Sequence, residues 1–124
     1  MADGVSTTVA NSALDNMAGT NMNNAQLHTG APGSAGTANV ASVTTRPAVT
    51  WASASGASKS ANGTLPSWAS WAGVNGQTIT AISLWSASTA GTFGAAITLS
   101  ASVTMNTGDT LSLTAITISI PTAS

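Results

Sequence analysis

Few residues in this chain are equipped for chemistry. The acid–base inventory is one histidine, His28, three aspartates, Asp3, Asp15 and Asp109, and two cations, Arg46 and Lys59. A Ser-His-Asp triad can be assembled on paper from His28, Asp109 and any of many serines. Triads are defined by geometry, however, and the Gly-x-Ser-x-Gly elbow that presents a nucleophilic serine is absent from the sequence. One histidine and scattered carboxylates also fall short of the converging ligand sets that zinc or calcium requires. No catalytic residue, metal or cofactor is therefore expected.

The four tryptophans, Trp51, Trp68, Trp71 and Trp85, are the other notable set. Solvent-facing indoles stack on sugar rings, whereas buried ones supply core volume. In a chain with one Phe and no Tyr the second use carries more weight. Trp85 ends the most apolar strand and is expected in the core. Trp68 and Trp71 are three positions apart and would face opposite sides of a strand. At most one is therefore expected inside the monomer, leaving the other as an interface anchor or a sugar platform. Asn62-Gly63-Thr64 has the form of a glycosylation sequon. No basic n-region or apolar h-region precedes it, so a chance match is expected.

Composition narrows the classes further. Charged residues make up 4 % of the 124 residues and the net charge is −1, against about 25 % charged in an ordinary domain. Nucleic acid and anionic membrane surfaces both need clustered Lys and Arg, so neither is an expected partner. No apolar run approaches the ~18–20 residues of a membrane span. Without cysteine there is no disulfide framework. Ala, Ser, Thr and Gly dominate the remainder. A neutral surface of this kind is poorly protected against association, which points to a chain packed against copies of itself or against a larger assembly.

The elements that must position these residues follow from periodicity. Val5, Val9, Ala13 and Met17 recur at i, i+4, with Ala10 and Leu14 beside them, which predicts a helix over about 6–18 capped by Ser6 and closed by Gly19. Ala25–Thr29, Asn39–Val43, Ala48–Ala52, Ala57–Ala61 and Leu65–Trp71 read as short strands. Asn62-Gly63 is a primed-turn signal that predicts a hairpin between the last two. Gly30–Gly36 reads as a flexible surface loop. Thr78–Met105 is the centre of the chain: an apolar run to Trp85, turn chemistry over Ser86–Gly91, then strict alternation of Ile97, Leu99, Ala101, Val103 and Met105 with hydroxyl residues. That pattern predicts a hairpin with one apolar face. Leu111 and Leu113 alternate in one parity and Ile116, Ile118 and Ile120 in the other, which fits a bulge or a strand crossing between sheets, ended by Pro121. Seven or eight short strands predict an all-β, antiparallel β-sandwich, jelly-roll or Ig-like, with a short N-terminal helix. Residues 1–24 are expected to form the helix and a docking segment, and 25–124 the sandwich.

Several stretches, taken in order, resemble a known family. They are Leu27-His28-Thr29-Gly30 with Pro32-Gly33 and Gly36-Thr37, Arg46 with Val49-Thr50-Trp51 and Ser55-Gly56, Ile82-Ser83-Leu84-Trp85-Ser86-Ala87, Gly91-Thr92-Phe93 and Gly108-Asp109-Thr110. Over roughly residues 5–115 they are similar to the small virion proteins of tailed bacteriophages, common in phages of actinobacteria, that serve as minor tail, tail-fibre or capsid decoration proteins. The sequence departs from that pattern at Ala31, where the family often has Asp, and at Pro47, Ser83 and Ser86.

The resemblance implies a structural role on the exterior of the virion. The first expectation is a capsid decoration protein bound to the major capsid protein, and the alternative a minor tail or fibre-tip protein contacting the host surface. A sugar-binding module with a host glycan as ligand is a further alternative. A homotrimer is expected, with Val9, Leu14, Met17, Trp68 and Trp71 as interface candidates.

Overall fold

The structure, a computed structural model, describes residues 4–120. Asp3 and the strand end expected at Pro121 lie outside the described residues. Helix α1 spans Thr7–Asn21 and seven strands follow: β1 (Asn24–His28), β2 (Ser58–Ser60), β3 (Ser67–Trp68), β4 (Gln77–Trp85), β5 (Phe93–Met105), β6 (Leu111–Ser112) and β7 (Thr117–Ser119). All strand pairings are antiparallel: a three-stranded sheet in the order β1-β4-β5, and two small ribbons, β2-β7 and β3-β6. The fold is thus an antiparallel, all-β sandwich with one helix. No helix among the described residues is long and apolar enough to cross a membrane.

The hairpin β4-β5 is the spine. Its turn is closed by Ser86 N–H to the Thr92 carbonyl at 3.0 Å and Thr92 N–H to Ser86 Oγ at 2.8 Å. On one face of the sheet Ala25, Leu27, Ile82 and Leu84 are buried, and they pack with Val49, Trp68, Leu111 and Ile116. Alternation along β5 holds except at Ala101: Thr98, Ser100, Ser102 and Thr104 are exposed, Ile97, Leu99 and Val103 are half-buried and Met105 is buried, but Ala101, expected on the apolar face, is exposed where the register with β4 shifts. The parity switch after Leu113 is a crossing between ribbons, since β6 pairs with β3 and β7 with β2.

Two local expectations fail for identifiable reasons. The expected hairpin at Asn62-Gly63 does not form, and the primed turn falls at Gly56-Ala57, where both φ angles are positive (57° and 60°). Trp51 pairs with Ala61 across this turn. Ala57 tolerates a left-handed backbone because its N–H is held by Asn11 Oδ1 of the helix at 2.9 Å. Residues 62–64 instead close on Thr50, whose N–H donates to the Thr64 carbonyl at 3.0 Å and whose Oγ1 donates to the Asn62 carbonyl. Of the other two strand candidates, residues 39–43 and 48–52 make only isolated bridges at Val40, Ala48 and Trp51.

The helix starts as expected, with Val9 N–H bonded to Ser6 Oγ at 3.2 Å, but it runs through Gly19 to Asn21. Its buried stripe is Ala10, Leu14 and Ala18, rotated from the expected Val5–Val9–Ala13–Met17 stripe. The rotation has a polar cause. Asn11 and Asp15 must both face the loop before β2, where Asp15 Oδ1 accepts from Ala54 N–H at 2.8 Å and from Lys59 Nζ at 2.5 Å. The lysine side chain is almost buried, and this ion pair gives its charge a partner there. Hydrogen bonds from Lys59 and from the Ala54 N–H hold the Asp15 carboxyl below its usual pKa.

The stripe assignment is testable by substitution. Leu14→Ala should cost about 2–5 kcal/mol of unfolding free energy in a denaturant titration. Val9→Ala, at an exposed position, should stay within about 0.5 kcal/mol of wild type. The reverse order would return the helix to the stripe read from the sequence.

Candidate functional site

Because β4 is the central strand, its second face must be covered as well. Register puts Gln26 opposite Ser83 and His28 opposite Ala81 on that face, with Trp85 beside Phe93. The cover is the segment from Thr29 to Asn39, which includes Gly30–Gly36, the stretch expected as a flexible surface loop. It folds down onto the sheet and buries Pro32 and Gly36. Gly36 has a φ of +72°, and a Cβ there would stand 2.4 Å from the Phe93 ring, so glycine is required by both backbone and contact.

His28 and Ser83 are fully buried beneath this loop. His28 Nδ1 lies 2.8 Å from the Ala38 carbonyl oxygen, which can only accept, so Nδ1 carries the proton. Nε2 then accepts from the Ser83 hydroxyl at 2.7 Å, and Trp85 Nε1–H donates to the same oxygen at 2.6 Å. The chain of bonds runs from loop to histidine to serine to tryptophan. Burial pushes the His28 pKa down from its usual 6.5; the Ala38 and Asn39 backbone oppose that shift and the nearby Arg46 charge adds to it.

Arg46 closes the other end. Its guanidinium carbon sits 4.0 Å above the Trp85 ring, Nε donates to Gln26 Oε1 at 3.1 Å, and Nη1 donates to the Ala90 carbonyl at 2.7 Å. The ring of Phe93 lies 5.5 Å from that of Trp85, tilted by 54°. Five residues from the stretches that carry the virion-protein resemblance, His28, Gly36, Arg46, Trp85 and Phe93, thus meet in one cluster.

A serine hydroxyl bonded to a histidine is the first link of a nucleophile–base pair. Here the second histidine nitrogen meets a backbone carbonyl in place of a carboxylate, and both side chains are sealed from solvent. Asp15 is held by Lys59, and Asp109 Oδ2 accepts from Asn106 N–H at 2.9 Å in its own turn. Among the described residues no three His or carboxylate side chains come together. What the cluster does is fasten a loop to a sheet.

The interface candidates are dispersed. Trp68 and Trp71 are both buried, at 4 % and 2 % exposure, against the expectation that one would face outward. The strand carrying Trp68 stops there, and a left-handed Ser70 (φ 51°) redirects the chain so that Trp71 also turns inward. Their indole N–H groups donate to the carbonyls of Thr45 and Val74, both at 2.9 Å, so neither ring offers an open stacking face. Leu14 belongs to the core, Met17 is half-buried against it, and Val9 is 56 % exposed.

Sequence reasoning missed a different surface. An open groove of about 410 Å³ runs between β5 and residues 111–117. Ile97, Leu99, Val103 and Leu113 line it, none of them fully buried, and its wall carries no charged side chain. The alternation along β5 signalled an apolar face; that the face would stay partly open was hidden, because nothing in the sequence counts how many strands cover it.

Compared with known protein families, the chain matches the one described as Podophage GP4 fiber I protein gp80, over residues 3–121. The match supports a phage fibre protein and not the narrower attribution to phages of actinobacteria. Comparison with curated proteins gives no match.

The buried histidine makes stability depend on pH. Its folded pKa lies below the unfolded value, so the unfolded chain binds more protons as the pH falls below 6.5. Stability should be full above that pH and should fall on acidification through the folded pKa. Melting temperature measured from pH 8 to 5 should show this decline, and His28→Gln should flatten it. At pH 8, Ser83→Ala should cost about 1–3 kcal/mol through the stranded Trp85 and His28 partners.

Proposed function

The chain belongs to the podophage GP4 fiber I protein gp80 family, and from that premise we propose that it is a structural, non-catalytic component of the tail fibre, carried on the exterior of the phage particle. The observation that carries this reading is a family match running from residue 3 to residue 121, through the helix, the hairpin and both ribbons. It favours the fibre alternative over capsid decoration. The interior of the fold agrees with a mechanical role: its histidine, its arginine and all four indole N–H groups are spent on internal hydrogen bonds. The partners proposed are the other tail proteins of the same virion. A host glycan, if one is bound, needs a surface other than Trp68 and Trp71, since both are buried.

Copy number and position test the proposal. Quantitative mass spectrometry of purified particles should give a handful of copies per virion, and antibody-labelled electron micrographs should place them on the tail. Hundreds of copies distributed over the head would overturn the fibre reading in favour of capsid decoration.

A further inference from the structure

His28 stands on the boundary between two bodies of unequal strength. Strand β4, which carries Ser83 and Trp85, is paired on both edges, with β1 on one side and β5 on the other. Residues 30–38 are tied mostly to themselves. Thr29 N–H closes the base of the loop on the Asn39 carbonyl at 2.8 Å; inside it Ala38 N–H reaches the Pro32 carbonyl at 2.9 Å and Gly36 N–H the Gly33 carbonyl at 3.2 Å. Asn39 Nδ2 donates to the Ala31 carbonyl at 3.0 Å. Among the described residues, the one hydrogen bond that leaves residues 29–39 from within this stretch joins the Ala38 carbonyl to His28 Nδ1–H. Otherwise the stretch rests on packing, with Gly36 under the Phe93 ring. A loop with joined ends, its own bonds and a single polar tie can lift as a unit at less cost than unfolding the sheet beneath it.

A proton on His28 has no good place while the loop is shut. In the neutral ring Nε2 accepts from the Ser83 hydroxyl, whose oxygen in turn accepts from Trp85. Once protonated, Nε2 becomes a donor, and two N–H groups, from His28 and Trp85, converge on one oxygen. The Ser83 proton must then turn away, and neither of its two neighbours offers it an acceptor. No carboxylate offsets the new charge. Apart from His28 itself, the loop, β1, β4, β5 and residues 40–52 contain one charged side chain, Arg46, and it is positive. Asp15 is held by Lys59 and Asp109 lies in its own turn. Only the Nδ1 side gains, since a charged ring binds the Ala38 carbonyl more strongly. Burial outweighs that gain, so the ring is harder to protonate than an exposed histidine.

We propose that residues 30–38 form an acid-released lid: they stay shut over the His28–Ser83–Trp85 chain while His28 is neutral, and lift as a unit when it takes up a proton. Lifting hydrates the imidazolium, gives the Ser83 hydroxyl a water to bond, and bares the Phe93 face that Gly36 covers in the closed form. The loop is the most weakly held cover of the ring, so the proton opens it before it unfolds the sheet. A single proton bounds the effect. With His28 at its ordinary 6.5 in the open form, the ratio of open to closed lid rises at most about thirtyfold between pH 8 and 5. The lid is a property of the domain alone, and its failure would leave the fibre assignment standing.

The tryptophans supply the test, because their indole N–H groups are bonded in different places: Trp85 to Ser83 beneath the lid, Trp68 and Trp71 to the carbonyls of Thr45 and Val74. Exchange of these protons with water is followed by NMR on the purified full chain from pH 8 to 5. Protection of Trp85 relative to Trp71 should fall with pH, by up to about thirtyfold, while Trp68 and Trp71 keep a constant ratio and circular dichroism stays native. The ring signals of His28, the one histidine in the chain, should titrate over the same pH range. His28→Gln, which cannot titrate, should make the Trp85 to Trp71 ratio independent of pH. A wild-type ratio that does not change with pH would overturn the proposal. So would parallel loss of protection at all three indoles, which means that the whole fold opens, or a pH-dependent ratio in folded His28→Gln. Should that variant fail to fold, the wild-type titration decides: a Trp85 ratio that changes at a pH where the His28 ring does not would equally overturn the lid.

Discussion

A strand buried on both faces must find a partner for every polar atom it carries inside, and in this protein that demand falls on one hydroxyl. Ser83 sits in the middle of β4 with no exposure to water. It accepts from Trp85 and donates to His28, which leaves the histidine one proton to place on the Ala38 carbonyl. Nothing in that sequence of bonds can be dropped without stranding a buried group, and no buried polar side-chain atom among the described residues lacks a partner. The loop is held by the histidine, the histidine by the serine, and the serine by its place in the hairpin.

The charged residues follow the same economy. Ordinary domains spread charge over their surface for solubility. Among the described residues this one uses its charges as fasteners. Arg46 reaches across Trp85 to carbonyls at the tip of the β4-β5 hairpin, and Lys59 reaches from β2 to the helix. Each joins elements far apart in sequence, 44 residues in both cases. Ser and Thr cover much of the outer surface. Their hydroxyls pair across the ribbons, as Ser58 with Ser119 at 2.8 Å and Ser67 with Ser112 at 2.9 Å. Such pairs add a little to ribbons of two or three residues a side that would not stand alone.

What the sequence disclosed and what it concealed divide along sequence distance. The β4-β5 hairpin, the Ser6 cap, strand β1 and the crossing between β6 and β7 were legible, because each is written in neighbouring residues. The helix stripe was misread because Asn11 and Asp15 are bound to residues near 57, which no helical wheel displays. Asn62-Gly63 carries the better turn signal, yet Gly56-Ala57 makes the turn because the helix supplies a hydrogen bond at Ala57. Gly30–Gly36 has the composition of a free loop, yet it buries Pro32 and Gly36, the latter against the Phe93 ring. The motifs that carried the phage resemblance were visible singly; that His28, Arg46, Trp85 and Phe93 belong to one cluster required the fold. The family match accounts for the function more narrowly than the residues did, since a fibre and a decoration protein can share every local feature discussed above.

A molecule with five charged residues has little with which to recognise a partner at a distance. Long-range steering needs a sizeable net charge or a charged patch, and the net charge of this chain is only −1. Recognition then depends on shape and on dry aliphatic contact at close range, which is slow to find a partner among many but suits subunits already held side by side. A fibre provides that condition: its components meet during assembly at high local concentration and afterwards stay put. The polar ties of His28, Ser83 and Arg46 keep the fold itself from adapting to the wrong neighbour, so the interior is specified by hydrogen bonds while the exterior is free to be plain.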